Sequence, residues 1–308
     1  MSLEHVLARL VSGRPLVVAA DANASLRARG VALDAPGALG VLLRERPGEV
    51  RAHHRVEVAC RADVIVALTA DTTPRALAEV GMEHRSAQLT GRAVELALEA
   101  AEESPKPVAV AGVLGSDQVS PVAANRLHEE LIEHSERLAV AGCELLIARG
   151  QGSRVNLMAA VVAAARTELM TWAVVEARDP DLVLDRALFE SLRDAGASAV
   201  LFELSSVSRG LVELARVKDA LEETGLAPGV LLAASEAAVP GFADRSLAVE
   251  TWADHALDLD LAGARVVGGG AGTTEEHLHT LAVALGSLHP SVVVRRSDTE
   301  ADPEPGAF

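Results

Sequence analysis

The stretch LAVAGCELLIARG, Leu138 to Gly150, carries the pattern from which the fold is read. A helical periodicity ends at Ala-Gly, two residues follow, and the apolar run LLIA breaks off at an arginine. Gly142 suits a left-handed helix cap, and four unbroken apolar residues have the length of a buried strand. The same order recurs along the chain. Strand-length runs are LVVAA at Leu16, VIVAL at Val64, VAVAGVL at Val108, LLIA at Leu145, TWAVV at Thr171, AVLF at Ala199, VLLAA at Val230 and RVV at Arg265. Helix-like segments intervene at Ser86–Glu103, Ala123–Ala141, Arg186–Ala195, Leu211–Thr224 and Leu247–Ala262, and Gly196, Gly225 and Gly263 repeat the cap. Eightfold alternation of strand and helix predicts an α/β fold, a single (β/α)8 TIM-type barrel. We assign residues 1–294 to this barrel and 295–308, RRSDTEADPEPGAF, to a disordered acidic tail, since it carries two prolines and almost no apolar content.

Composition narrows the function. Hydrophobic residues make up 49% of 308 and aromatics only 2%, with no Tyr, so the core is aliphatic. The formal charge of −16 repels phosphate backbones and anionic lipid, which argues against nucleic acid and membrane partners. No stretch approaches the roughly 20 apolar residues that span a bilayer, and MSLEHVLARLVSGRP lacks the layout of a signal peptide. The expectation is a soluble cytoplasmic protein with a small-molecule ligand; homo-oligomer or protein partner is left open. Cys60 and Cys143 each lie in an Ala-rich setting without metal-ligand spacing and read as small buried hydrophobes.

In a barrel of this kind the site residues sit just past each strand. They are Asp21 and Asn23, Thr69 and Asp71, Ser116 and Asp117, Arg149 and Gln151, Glu176 and Arg178, Glu203 with Ser205 and Ser206, Ser235 and Glu236, and the turn Gly268 to Thr274. Arg149 and Glu203 follow apolar residues with no turn residue between, so both belong to strand ends. An arginine and a glutamate so placed either pair across the mouth or grip a ligand carrying an amine and a carboxylate.

The turn GGGAGTT, Gly268 to Thr274, has no Lys before its hydroxyl residue, which excludes a P-loop, and its sixth position is Thr273, which excludes a dinucleotide fingerprint. Instead ARVVGGGAGTTEEHL resembles the signature of the zinc-dependent homocysteine S-methyltransferases, whose last strand runs into Gly-Gly-Cys-Cys-Gly-Thr-Thr. HRVEVACRADVIVALTADT is similar to that family's second-strand region, HEELIEHSERLAVAGCELLIA to its third helix and fourth strand, DAGASAVLFELSS to its sixth strand, and ETWADHALDLDLAGARVVGGG to the approach to the signature. VVAADANASLRARGV is like its opening loop, two residues shorter if Asp21 takes the Asp position. The resemblance spans Leu16 to about His289 and implies a (β/α)8 barrel.

The same resemblance exposes what this chain lacks. The family's zinc is held by three thiolates, and their positions are occupied by Leu204, Gly270 and Ala271, with Glu203 at the neighbouring Asn. The family's Glu-Thr after the fourth strand is replaced by Arg149-Gly150, and its Asn after the seventh by Ala234. A free thiol of pKa about 8.5 is only a few per cent thiolate at neutral pH, whereas zinc deprotonates it. Zinc is therefore predicted absent from that position, and homocysteine methylation by the family's mechanism weak. His277 and His279, two apart on a helix, point to opposite faces and cannot chelate together. His53-His54 reads as a solvated pair. Asp21, Asp71, Asp117 and Glu203 offer oxygen ligands to a hard cation such as Mg²⁺. Thr273-x-x-Glu276 matches a capping box, which would aim free N–H groups at the mouth.

The resemblance implies a divergent homocysteine S-methyltransferase-like protein that binds a small amino-acid-like ligand against Asp21, Thr69, Asp71, Arg149, Glu203, Ser235, Gly270, Ala271 and Thr273. As a zinc-independent methyltransferase with an altered acceptor it would draw on a donor such as S-methylmethionine or S-adenosylmethionine. No catalytic residue is singled out. The alternative is an inactive barrel that binds or scaffolds another enzyme, and a weaker third reading is a lyase or isomerase using the carboxylate ring.

Overall fold

The computed structural model describes residues 2–33, 35–115, 123–150, 153–176, 183–205, 207–236 and 245–288. Strands β1 (Leu16–Val18), β2 (Val64–Val66), β3 (Ala109–Leu114), β4 (Leu145–Arg149), β5 (Met170–Glu176), β6 (Ala197–Leu204) and β7 (Ala227–Leu232) coincide with seven of the apolar runs. A two-residue antiparallel pair, β8 (Ser235–Glu236) and β9 (Arg245–Ser246), precedes β10 (Val266–Gly269), the eighth. The eight long-range strands are parallel and close in the order β1-β10-β7-β6-β5-β4-β3-β2. β1 meets β10 over three residue pairs, from Leu16–Val266 to Val18–Gly268, but meets β2 at Val18–Val64 alone.

Helices α1 (Ser2–Ser12), α2 (Ala22–Ala28), α3 (Ala38–Glu45), α4 (Pro47–Ala59), α5 (Pro74–Ala78) and α6 (Ser86–Glu102) belong to the first half. α7 (Ala124–Ala141), α8 (Arg154–Ala165), α9 (Arg186–Asp194), α10 (Val207–Thr224), α11 (Val249–Leu261) and α12 (Glu275–Leu288) complete the outer layer. Each expected cap is in place. Gly142 closes α7 at φ 104°, a conformation that a Cβ would strain, and its N–H bonds back to the Ala139 and Leu138 carbonyls.

Alternation along the strands sorts the core into two shells. Leu145 and Ile147, Trp172 and Val174, Ala199 and Leu201 fill the lumen, which α1 covers from the N-terminal end with Val6 and Leu10. Leu146 and Ala148, Ala173 and Val175, Val200, Phe202 and Leu204 face the helices. A third cluster, Leu26, Leu39, Leu42, Leu77 and Leu89 among others, binds α2, α3 and α5 over one side of the mouth. Each buried Val, Leu or Ile among these contributes roughly 1.5–3 kcal/mol. Cys143 is buried and its thiol is pushed up to about 12 by burial; Cys60 is half-buried and pushed up to about 11 by burial and by the carboxylates of Glu275 and Glu57.

Candidate active site at the barrel mouth

Alternation also aims the site. Position 149 follows Leu145 and Ile147 in phase, and position 203 follows Ala199 and Leu201, so both side chains point inward where the strands end. There the Arg149 guanidinium donates to the Glu203 carboxylate, with side chains 25% and 27% exposed. The pair forms part of the wall of a cavity of about 380 Å³, together with Asp21, Asn23, Thr69, Asp71, Glu57, Gly270 and Ala271. Most of the remaining wall is aliphatic, including Val18, Val66, Val113, Ile147 and Leu231.

The sequence-derived residues divide by what they bond. Asp21 lines the cavity, but its carboxylate accepts from Asn23 N–H at 2.9 Å and from Gly272 N–H at 3.0 Å, which ties α2 to the glycine turn. Thr69 is fully buried; its Oγ1 accepts from Val113 N–H at 2.9 Å. Thr273 is fully buried too, donating to the Gly270 carbonyl at 2.7 Å and accepting from Asp21 N–H at 3.0 Å. Asp71 lines the cavity, Glu176 ends β5 opposite Glu203 in register, and Ser235 lies in β8. Ser116, Asp117, Gln151, Arg178 and Ser206, the side chains of Ser235 and Glu236, and the tail 295–308 lie outside the described residues.

Two expectations are corrected. The capping box does not form at Thr273, because its hydroxyl is already committed to Gly270 and Asp21; α12 starts at Glu275, and His277 Nδ1 accepts from Thr274 N–H at 3.2 Å in place of a glutamate. His277 then lies edge-on to Trp252 at 5.3 Å, while His279 faces outward on the other side, as its spacing requires. The second correction concerns His53 and His54, which are fully buried rather than solvated. On α4 it is Ala52 and Val56 that face outward, while His53, His54 and Glu57 face inward. Carboxylates make this tolerable: His54 Nδ1 lies 3.1 Å from Glu57, and His53 Nδ1 lies 3.3 Å from Glu275, which Arg29 also binds.

Burial pulls the His53 imidazole down, but Glu57 and Glu275 outweigh it and the net is upward. For His54 burial wins and the net is downward. Burial raises Glu275, yet His53, a backbone N–H and Arg29 bring it to about 2. Sequence reasoning passed over this cluster. Its signal was the i, i+1, i+4 spacing, which puts all three residues on one face of a helix.

A closed eight-stranded parallel barrel with a polar pair and a cavity at its C-terminal mouth defines a (β/α)8 protein. Within that class the chain belongs to the homocysteine S-methyltransferase family, whose model matches residues 20–285. Among solved structures it is similar to the homocysteine methyltransferase MmuM from Escherichia coli. The oxidised form has a TM-score of 0.75 at 21% identity, covering 91% of this chain and 99% of that one. The metallated form has a TM-score of 0.73 at 21% identity, covering 88% and 96%. A dihydrodipicolinate synthase from Agrobacterium tumefaciens follows at 0.51 and 14%, covering 91% and 80%. These likenesses show the fold; membership of the family supports a homocysteine methyltransferase-like function. No helix among the described residues is long and apolar enough to cross a membrane.

None of the residues at the three positions where the sequence resemblance puts the family's zinc ligands carries a metal-donor side chain. Leu204 points into the helix layer against Gly210, Gly270 has no side chain, and Ala271 offers a methyl group. A cysteine at Gly270 would meet crowded backbone. A Cβ there would lie 2.9 Å from Ala233 N and Leu232 C and 3.0 Å from Leu231 O, all backbone. Gly270→Cys is therefore expected to destabilise by about 1–3 kcal/mol in urea unfolding, while Ala271→Cys at the exposed neighbour stays near neutral. The triple variant Leu204→Cys, Gly270→Cys, Ala271→Cys should hold substoichiometric zinc. A fully stable triple variant with one tightly bound zinc would show that the β7 backbone yields.

Proposed function

We propose that the mouth binds a free amino acid or close analogue between Arg149 and Glu203, and that methyl transfer here works on an altered acceptor without the thiolate-bound zinc of the family. The observation that carries this is the inward-facing Arg149–Glu203 ion pair in a small, largely aliphatic cavity. A zwitterion entering that space meets a cation for its carboxylate and a carboxylate for its ammonium, while its side chain rests on Val113, Ile147 and Leu231. The cavity volume lies in the range of small-molecule sites. Leu204, Gly270 and Ala271 supply no donor for a metal that would deprotonate an acceptor thiol, whose ordinary pKa is about 8.5. The reading thus disfavours methylation of plain homocysteine by the family's thiolate-zinc route.

Calorimetry with homocysteine, methionine, S-methylmethionine and S-adenosylmethionine tests it. At least one should bind, and Arg149→Met or Glu203→Gln should weaken it tenfold or more, about 1.4 kcal/mol or above. Wild-type protein that binds none of the four, or variants that bind as tightly as wild type, would remove the support from this reading.

A further inference from the structure

We propose that His53, His54 and Glu57 form a binding site for one divalent transition-metal ion of the zinc type, at a place distinct from the family's thiolate positions. The three residues are the single His/Cys/Asp/Glu group among the described residues whose donor atoms gather within 4.8 Å. Two imidazoles and a carboxylate are a donor set that suits zinc, cobalt or nickel, and three protein ligands leave a fourth position open. All three side chains are 0–1% exposed, so the donors are held rather than waving in solvent.

Spacing and satisfaction both favour a missing partner. His54 Nδ1 lies 3.1 Å from Glu57 Oε2, and His53 Nε2 lies 3.5 Å from Glu57 Oε1. Donors on one tetrahedral ion at 2.0–2.1 Å stand about 3.4 Å apart, close to both of these separations, and the whole donor set lies within 4.8 Å. His53 Nε2 and His54 Nε2 are buried and make no hydrogen bond. Buried ring nitrogens in that condition are costly, and an ion supplies what His53 Nε2 lacks.

The support behind the ligands is built as metal sites build it. His53 Nδ1 bonds the Glu275 carboxylate at 3.3 Å, which fixes the ring and its tautomer and turns Nε2 toward Glu57; Glu275 is held in turn by Arg29. A histidine ligand backed by a carboxylate is the common arrangement around zinc. Glu57 also forms part of the wall of the mouth cavity, so through it the three residues border the space where a small molecule would sit. Glu275 directly follows the glycine turn, Gly268 to Thr274, which ties the support of His53 to that turn.

The inference is independent of ligand binding by Arg149 and Glu203, and its failure is read separately. Full-length protein is stripped with chelator, loaded with Zn²⁺ or Co²⁺ in separate samples, desalted and analysed for metal. We expect one ion per chain, and for Co²⁺ the visible bands of a four-coordinate nitrogen and oxygen site without a sulfur-to-cobalt charge-transfer band. Glu57→Gln and His54→Asn should each lower the affinity at least tenfold, and Glu275→Gln, which leaves every ligand in place, by about 10–100-fold. Circular dichroism reports whether each variant folds; should one unfold, stoichiometry and the cobalt spectrum of the wild type still decide. Protein that stays metal-free after loading overturns the site, as do folded variants that keep wild-type affinity and a charge-transfer band that reports a cysteine ligand.

Discussion

Replacing Asp63 by alanine is expected to lower the free energy of unfolding by about 3–5 kcal/mol, seen as a lower urea midpoint at unchanged slope. Asp63 immediately precedes β2 and is 1% exposed. Its Oδ2 accepts from Val17 N–H at 2.9 Å, and its Oδ1 accepts from Arg9 at 2.9 Å and Lys106 at 3.1 Å, with His5 at 3.5 Å. The backbone adds two more bonds, from Asp63 N–H to Val17 O at 2.8 Å and from Ala109 N–H to Asp63 O at 2.9 Å. The location explains the magnitude. β1 and β2 share a single register pair, so the carboxylate braces the weakest seam of the barrel and docks α1 beneath it. Burial drives the carboxyl up, but His5, Lys106, Arg9 and the Val17 N–H outweigh it and hold it below the ordinary range. A depressed carboxylate contributes fully above its unfolded pKa near 3.9 and loses that contribution as pH falls through the lower folded value, so wild type and variant should converge in strong acid. Asp63→Asn, which keeps an acceptor for Val17 N–H, should lie between them. A loss below about 1 kcal/mol for the alanine variant would mean that the seam closes without the carboxylate.

The barrel was legible because its strands and its stops use different residues. Runs such as VIVAL and LLIA contain no competing polar atoms, and Gly142, Gly196, Gly225 and Gly263 all adopt the left-handed turn that a side chain would strain. α1 was not legible: its role under the barrel depends on Arg9 and His5 reaching Asp63, more than fifty positions away. The β8–β9 pair was equally hidden, since two-residue strands carry no periodicity.

The site divides by the same logic. Arg149 and Glu203 could be found from sequence because strand alternation, not tertiary contact, decides where they point. Thr273 misled because a Thr-x-x-Glu pattern records which residues are able to cap, whereas the Gly270 carbonyl and Asp21 N–H had already claimed the hydroxyl. His53 and His54 misled because two adjacent imidazoles on a helix read as solvated unless a partner inside the fold is known. The burial of His53 rests on Glu275, over two hundred residues on, and that of His54 on Glu57 of the same helix. Carboxylate partners are what let polar side chains go inside, and composition gives no sign of them.

Acid should weaken this protein through His134, by about 3 kcal/mol between pH 6.5 and 4. His134 is on α7 and 1% exposed; its Nε2 donates to the Thr69 carbonyl at 3.2 Å, just behind the loop that lines the mouth. Burial, aided by Arg137 and only partly opposed by hydrogen bonds to the backbone of Thr69 and Val113, takes its pKa from 6.5 to about 4. The folded form therefore keeps the ring neutral where the unfolded chain protonates it. Between those pH values the unfolded state binds the extra proton, so stability falls as pH falls; above 6.5 the contribution is constant, and below 4 both states are protonated. His134→Gln can retain an N–H donor toward Thr69 but does not titrate. Urea unfolding of both proteins at a series of pH values should therefore show the stability of wild type minus variant falling by about 3 kcal/mol from pH 6.5 to 4, whatever its value at pH 7. Parallel curves would mean that the ring finds a partner for its second proton. The expected fall would tie the Thr69 loop, and with it one wall of the ligand cavity, to a single neutral imidazole.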